Sequence, residues 1–336
     1  MQTIFYILPE LFLSLSILSL LMIGVFMKKG FKLVYLLTLL CLIFSIILIL
    51  NQPNEILKIF NDSYITDRLS ILMKALTVLF CFFVLISSKE YIKNNNIDKI
   101  EYPIIILTSV LGMFIMISSY DLIVFYLGLE LQSISLYILA SFKRFEEKSS
   151  EAGLKFFVLN ALASGLMLYG FSFIYGFTGS TNFDVIASNL NEDNMAATFA
   201  IVLIIVGLAF KVSAVPFHMW TPDVYQGSPT SVTTFFALVP KIAALTVFIR
   251  FMYVPFINVV DHWQPIVIFL SIGSMVLGAV AAIGQTNIKR LMAYSSIGHM
   301  GYALAGISTG TNEGLQSTLV NLTIYVAMNL GMFCCI

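Results

Sequence analysis

Long apolar runs alternate with short polar connections along nearly the whole chain. A bilayer-crossing helix needs about 20 mostly apolar residues, and eleven runs of about this length are present. The longest polar connections, at 51–68, 89–101 and 177–195, are too short for a folded soluble domain. The pattern predicts an all-α polytopic membrane protein with a single transmembrane domain over 1–336. The predicted spans are 4–27, 32–50, 69–88, 102–119, 121–142, 152–176, 196–218, 230–252, 265–284, 288–308 and 313–335.

Composition agrees with a protein that lies in the lipid bilayer. Of the 336 residues, 59% are hydrophobic and 11% are charged, whereas soluble domains carry about 25% charged residues. The net charge is zero and there is no basic or acidic tract, so nothing indicates nucleic-acid binding.

The N-terminus lacks a basic region and a cleavage site, so the first span is predicted to be retained. The four cysteines lie in apolar runs without metal or redox spacing, which predicts no metal site.

The distribution of lysine and arginine predicts the orientation, because cytoplasmic loops carry an excess of both. With the N-terminus outside, twelve cations fall on the inner side and three on the outer side. The acidic loop 177–195, with Asp184, Glu192 and Asp193, then lies outside. The inner cations are Lys28, Lys29, Lys32, Lys89, Lys93, Lys99, Lys143, Arg144, Lys148, Lys155, Lys289 and Arg290, and the outer ones are Lys58, Arg68 and Arg250.

Three lysines lie inside predicted spans: Lys74, Lys211 and Lys241. Lys74 is near a helix end and could extend its amino group to the interface, so a structural and a functional role are both open. Lys211 and Lys241 lie nearer mid-span, where a lysine costs roughly 2.5–3.5 kcal/mol on insertion scales. Their presence predicts a charged partner or a water-filled path.

Two further ionisable residues lie mid-span, Glu130 and His299. Glu130 shares one helix face with Ser133 and Tyr137, and this polar face must meet protein or water. Asp121, at the start of the same span, is predicted to cap the helix. Glu130 could simply form a buried pair that holds helices together. His299 could be hydrogen-bonded within the bundle, or it could exchange protons near neutral pH.

Prolines stand beside both mid-span lysines. Pro216 follows Lys211 by five residues and Pro240 directly precedes Lys241. Because proline has no N–H and crowds the preceding turn, both positions are predicted helix breaks. Broken helices beside mid-membrane charges are typical of transporters. Lys211 is therefore predicted to face a hydrated interior, close to a carboxylate.

These residues predict lateral proton transfer along the membrane midplane, through Glu130, Lys211, Lys241 and His299. A buried lysine releases its proton more easily when desolvated, and a nearby carboxylate opposes this. Movement of Glu130 relative to Lys211 would therefore switch the proton affinity of the lysine. The sequence has no phosphate-binding loop, no dinucleotide fingerprint and no iron–sulfur spacing. The energy must then come from an ion gradient or from partner subunits.

Several motifs resemble the N-type antiporter-like subunit of respiratory complex I, in the expected order over nearly the whole chain. They include ILPELFLSL (7–15), YLGLELQSISLYILASFKR (126–144), AFKVSAVPFHMWTPDVYQGSPT (209–230), VPKIAAL (239–245) and GQTNIKRLMAYSSIGHMGY (284–302).

The resemblance implies a proton-translocating membrane subunit of NADH:quinone oxidoreductase, part of an enzyme although no catalytic residue lies in this chain. It implies that Glu130 pairs with Lys211 of the broken seventh helix, and that Lys241 and His299 lie on a central hydrophilic axis. It also implies that NAD, FMN, iron–sulfur clusters and quinone belong to partner subunits. The partners would be the other membrane and peripheral subunits of complex I and the lipid bilayer.

The resemblance further implies two inverted five-helix repeats. We divide the chain into three N-terminal helices (1–101), a first repeat (102–252) and an incomplete second repeat (265–336). The sequence stops directly after the eleventh predicted span, before the second broken helix. It could be a fragment, a shortened product or a naturally reduced family member. We expect this 336-residue form not to pump protons by itself.

Two other interpretations stay open. A subunit of a multi-subunit cation/proton antiporter would share the glutamate and lysine pattern, although residues 216–230 favour the complex I subunit. A truncated remnant would contribute packing alone. The predicted location is the bacterial inner (plasma) membrane, and the mitochondrial inner membrane is the alternative.

Overall fold

The computed structural model describes residues 5–27, 30–53, 55–190 and 195–336, with the backbone alone at 195–196. The orientation signals at Lys28, Lys29, Glu192 and Asp193 lie outside these residues. The described part contains thirteen α-helices, which are α1 (Leu8–Phe26), α2 (Phe31–Leu50), α3 (Arg68–Asn94), α4 (Glu101–Ser118), α5 (Leu122–Ala140), α6 (Glu147–Thr178), α7 (Phe183–Asn189), α8 (Met195–Val212), α9 (Trp220–Gly227), α10 (Thr230–Tyr253), α11 (Val260–Ile283), α12 (Ile288–Ser308) and α13 (Asn312–Cys335).

Eleven of these helices correspond to the eleven predicted spans, so the all-α prediction is confirmed. Among the described residues, nine helices are long and apolar enough to cross a bilayer. The other two are α8, whose apolar segment 197–212 is shorter, and α12, which carries serine, glycine, tyrosine and histidine among its apolar residues. The helical membrane architecture is thus established, with α7 and α9 as short additional helices.

A small antiparallel hairpin interrupts the connection 51–68, which the sequence pattern predicted only as a polar loop. Strands β1 (Leu57–Ile59) and β2 (Tyr64–Thr66) pair with Ile59 opposite Tyr64. The backbone of Ser63 and Tyr120 joins the hairpin to the start of α5. We call this end of the bundle, which also holds the start of α1, the hairpin side.

Side-chain caps determine where the helices on the hairpin side begin. Asp121 accepts hydrogen bonds from the N–H groups of Ile123 and Val124, which confirms its predicted capping role. Asp67 and Ser70 form a reciprocal capping box at the start of α3. These caps satisfy N–H groups that a helix end leaves without partners.

Helix α10 forms the centre of the bundle and is buried from Ser231 to Met252. Its neighbours approach closely where glycine replaces larger residues. A side chain at Gly112 of α4 would lie 2.6 Å from the backbone nitrogen of Gln132 on α5. This close contact brings the polar face of α5 against the interior of the bundle.

Candidate functional site

Helix α8 ends directly after Lys211, at Val212. Ser213 has a φ of 65°, and the N–H groups of Ser213 and Ala214 bond back to the carbonyls of Phe210 and Ala209 at 3.2 and 2.8 Å. This pattern is a Schellman helix end. The helix therefore stops before Pro216, six residues earlier than the predicted span 196–218. Pro216 lies in the connection to α9 rather than inside a kinked helix.

The backbone groups near this break have side-chain partners. The indole N–H of Trp220 donates to the carbonyl of Phe210 at 3.0 Å, and the hydroxyl of Ser274 accepts the N–H of Val215 at 2.9 Å. Buried backbone groups at membrane depth require such partners. Trp220 also stacks on Phe156, with 4.6 Å between ring centroids. The break is thus a packed part of the fold.

The amino group of Lys211 donates to the hydroxyl of Ser133 on α5 at 2.8 Å. Glu130 lies one turn before Ser133 on the same helix and interacts with Lys211 electrostatically. No Glu130–Lys211 contact within 4 Å occurs between these two described side chains. The direct ion pair implied by the resemblance is therefore absent in this structure, and Lys211 bonds to the Ser133 hydroxyl instead. The Oε1 atom of Glu130 is buried without a hydrogen-bond partner among the described residues.

Lys241 is buried in the middle of α10, with 2% of its surface exposed. Its amino group donates to the hydroxyl of Ser296 on α12. The hydroxyl of Tyr325 on α13 lies 2.9 Å from that of Ser296 and 2.9 Å from the carbonyl of Ala237. In one consistent arrangement, Lys241 donates to Ser296, Ser296 donates to Tyr325, and Tyr325 donates to the carbonyl of Ala237.

The helix containing Lys241 does not break at Pro240. Helix α10 continues from Thr230 to Tyr253 with the proline inside it, so the predicted break at this position is wrong. Packing on all sides holds the helix together although the proline cannot donate to the carbonyl of Phe236. Pro240 instead lines the cavity described below.

His299 lies one turn after Ser296 on α12 and is half-buried. Its ring centroid is 5.2 Å from that of Tyr325 and 6.2 Å from that of Tyr302. It therefore lies beside the Lys241–Ser296–Tyr325 group. The structure brings His299 near Lys241, whereas Glu130 is near Lys211.

One cavity joins the two mid-span lysines, because both Lys211 and Lys241 line it. The volume that the centres of water molecules can occupy in this cavity is about 30 Å³. One water needs roughly 10–15 Å³ of such volume, so the cavity is large enough to hold water. The side-chain oxygens of Gln132 and Asn160, which also line it, are buried without partners among the described residues. Ordered water in this cavity would satisfy them.

The hydroxyl and amide side chains of this site were the part that sequence reasoning missed. Ser133 was noticed only as a neighbour of Glu130 on one helix face. Asn160, Ser296 and Tyr325 are not predicted as site residues, because polar residues of this size are common in membrane helices and their partners are distant in sequence. Hydroxyl groups both donate and accept hydrogen bonds, so this arrangement can pass protons between two lysines with the help of water.

Comparison with known proteins agrees with this architecture of a membrane helix bundle. The family described as "NADH:quinone oxidoreductase/Mrp antiporter, TM" matches residues 119–336. The chain belongs to this family of membrane proteins. It is 61% identical to NADH-quinone oxidoreductase subunit N of Pelagibacter ubique (strain HTCC1062), over 100% of this chain and 72% of that protein.

Solved structures support the same assignment. A chain of respiratory complex I from Thermus thermophilus, solved with bound aureothin, has a TM-score of 0.82 and 30% identity, covering 97% of this chain and 69% of that one. A chain of the Mrp complex from Dietzia sp. DQ12-45-1b has a TM-score of 0.83 at 19% identity, covering 98% of this chain and 64% of that one. The second likeness shows the fold alone.

Proposed function

We propose that this chain is a proton-translocating membrane subunit of a bacterial NADH:quinone oxidoreductase. The observation that carries the proposal is the cavity lined by both Lys211 and Lys241, inside a chain that is 61% identical to a subunit N. Two lysines at membrane depth are expensive to keep, and a shared water-sized cavity gives them a route for proton exchange.

The proposed proton path runs along the membrane midplane through Glu130, Lys211, Lys241 and His299. The Ser133 hydroxyl contacts Lys211 and lies one turn from Glu130 on the same helix. The Ser296 hydroxyl contacts Lys241 and Tyr325 and lies one turn from His299. Water in the cavity would complete the step from one lysine to the other. A change in the distance between Glu130 and Lys211 would alter the proton affinity of the lysine and so drive transfer in one direction.

The energy for this movement would come from quinone reduction in partner subunits. Moving one charge against 100 mV costs about 2.3 kcal/mol, and we propose that this chain contains no redox centre of its own. NAD, FMN, iron–sulfur clusters and quinone would be bound by the other membrane and peripheral subunits. The 102–252 and 265–336 segments would form the first repeat and part of the second, with 1–101 as three additional helices.

We propose a location in the bacterial inner membrane, with the hairpin side outside. The cation distribution supports this orientation. Lys155 and Arg290, both assigned to the inner side, bind the same carboxylate, that of Asp223. This cluster lies at the start of α6, a 32-residue helix whose other end reaches the hairpin side.

The test is proton pumping by the assembled complex in membrane vesicles. We expect Lys211→Met and Lys241→Met to lower the number of protons pumped per quinone reduced to background, because the path loses a proton carrier. The matched control is Lys93→Met, an exposed lysine at the end of α3, which should pump normally. Normal pumping by both interior variants would reject the proposal.

A cation/proton antiporter subunit is the alternative, favoured by the shared fold with the Mrp complex. Native-gel migration of this chain from solubilised membranes, with in-gel NADH oxidation, separates the two functions. Migration with a large NADH-oxidising band supports the complex I subunit. Migration in a complex without that activity supports the antiporter.

A further inference from the structure

A second buried charged cluster lies away from the lysine cavity, among the N-terminal helices and the hairpin. Lys74 of α3 forms an ion pair with Glu10 of α1, with 2.6 Å between Nζ and Oε1. The side chains of Lys74 and Glu10 are 0% and 6% exposed. Tyr64 of β2 completes the cluster, since its hydroxyl donates to Glu10 at 2.8 Å and accepts from Lys74 at 2.9 Å. We call Glu10, Tyr64 and Lys74 the N-terminal triad.

The triad leaves one carboxylate oxygen unused. Both donors contact Oε1 of Glu10, whereas Oε2 is buried with no hydrogen-bond partner among the described residues. A buried carboxylate oxygen without a donor is costly. A proton bound at Oε2 would offset this cost, and it would also leave the buried Lys74 charge uncompensated. Oε2 is therefore the atom of this triad where a proton can bind.

A further ion pair connects the surroundings of the triad to the central helix. Asp67, which caps α3 seven residues before Lys74, binds Arg250 of α10 through both of its carboxylate oxygens, at 3.0 and 3.3 Å. Lys241 lies nine residues before Arg250 on the same helix, which corresponds to ~14 Å of helix length. Asp67 and Arg250 both interact electrostatically with Lys74.

Among the described residues, few other charges face the triad. The groups from neighbouring elements are Asp67 at the start of α3 and Arg250 of α10, while α4 contributes Phe114, 5.7 Å from the Lys74 amino group. A single proton at Glu10 would therefore change the local charge strongly. The triad and its neighbours carry one carboxylate for each cation, so that one added proton leaves one positive charge in excess.

We propose that the N-terminal triad is a second proton-binding site, on the hairpin side, which takes up and releases a proton at Oε2 of Glu10. This inference rests on the proposed function, which requires protons to reach that side of the membrane. Uptake forms an O–H bond at Oε2, gives a neutral carboxyl and leaves Lys74 without its counter-charge. Release breaks that bond and restores the Glu10–Lys74 ion pair.

The experiment compares the assembled complex with Glu10→Gln, Glu10→Asp and the double variant Glu10→Gln/Lys74→Met. Difference infrared spectra between mildly acidic and mildly alkaline buffers detect a carboxyl group that changes protonation. We expect Glu10→Gln to lose one such band and Glu10→Asp to shift it. Retention of the complete set of bands in Glu10→Gln overturns the proposal.

Proton pumping separates proton exchange from a purely structural clamp. The double variant removes both charges and leaves no buried ion unpaired. If the triad only holds the helices together, this variant should therefore lose little stability. We expect it to reduce quinone normally and to pump fewer protons per quinone. The control pair is Lys58→Met/Asp184→Asn, which removes a partly exposed ion pair on the same side and should pump normally.

Lys241→Met distinguishes this inference from the proposed function. If Lys241→Met stops pumping while the double variant pumps as the wild type does, the triad is a structural clamp and the inference is wrong. If Lys211→Met and Lys241→Met both pump normally, the proposed function itself fails, and the infrared band still decides whether Glu10 binds a proton. If the double variant does not assemble, the band shift in Glu10→Asp is the deciding measurement.

Discussion

At the scale of single residues, the Tyr325 hydroxyl determines how the Lys241 amino group is held. It lies 2.9 Å from both the Ser296 hydroxyl and the Ala237 carbonyl, so Tyr325→Phe leaves Ser296 with Lys241 as its remaining partner. The loss of about 1 kcal/mol from one hydrogen bond corresponds to about fivefold in a rate. We therefore expect Tyr325→Phe to slow proton pumping by about fivefold, measured as the initial rate in vesicles.

Tyr302→Phe is the matched control for this prediction. Tyr302 is 59% exposed, and among the described residues the hydrogen bonds of Lys241, Ser296 and Tyr325 do not include its hydroxyl. Equal slowing by Tyr302→Phe and Tyr325→Phe would mean that the ring environment of His299, not the hydroxyl network, sets the rate.

Individual charged residues were predictable from the sequence, but their partners were not. Lys211 and Lys241 stand out because a charge inside an apolar run needs compensation. Their hydroxyl partners, Ser133 and Ser296, lie 78 and 55 residues away, and only tertiary packing brings them together. Glu10 was missed for another reason, since a carboxylate in the first turn of a helix is also explained by its favourable position at the helix N-terminus.

At the scale of helices, Trp220 joins the two parts of the broken helix. Trp220→Phe keeps an aromatic ring against Phe156 but removes the donor to the Phe210 carbonyl. We expect a loss of stability of about 1 kcal/mol and, because Phe210 precedes Lys211, a lower pumping rate as well. The measurements are the thermal inactivation midpoint of the assembled complex and its pumping at a temperature below that midpoint.

Trp263→Phe provides a control with the same chemistry. Trp263 is fully buried and donates to the Phe256 carbonyl at the same distance of 3.0 Å, away from the break. It should lower the midpoint similarly and leave pumping per quinone unchanged. If Trp220→Phe lowers the midpoint but leaves pumping unchanged, as Trp263→Phe does, the Trp220 bond has no role beyond packing.

The helices themselves were largely predictable because membrane-spanning backbone must satisfy its hydrogen bonds within each helix. The position of the break was not. Pro216 indicated that α8 is interrupted, but the helix end is set by Ser213 and the contacts of Trp220 and Ser274. Pro240 also predicted a helix break, yet α10 continues through it. A helix buried on all sides can tolerate one missing hydrogen bond.

At the scale of the whole molecule, the Asp223 cluster links three helices on the side opposite the hairpin. Asp223 of α9 binds Lys155 of α6 at 2.9 Å and Arg290 of α12 at 2.7 Å. Burial by itself would raise the pKa of the Asp223 carboxyl, but the hydrogen bonds from Lys155 and Arg290 outweigh this effect and hold that pKa below its usual value. The cluster therefore stabilises the fold only while the carboxyl is ionised.

The sign of the pH dependence follows from that lowered pKa. A carboxyl whose folded pKa lies below the unfolded value of about 3.9 contributes its stability above that value and loses it as the pH falls through the folded pKa. The wild type should thus be more stable than Asp223→Asn at neutral pH, and the difference should shrink as the pH drops below about 4. Because the side chain of Asp223 is 36% exposed, we expect this difference in the free energy of unfolding to be less than about 1 kcal/mol.

The measurement is the thermal aggregation midpoint of this chain within the complex, recorded from neutral to acidic pH for wild type and Asp223→Asn. For a protein of this size the expected difference at neutral pH is about 2 °C or less. Glu151→Gln is the control, since Glu151 also contacts Lys155, at 2.7 Å, but is 61% exposed and lies on the same helix. It should change the midpoint less than Asp223→Asn does, because it joins no second helix. A difference for Asp223→Asn that stays constant with pH would show that its carboxylate charge does not hold α6, α9 and α12 together.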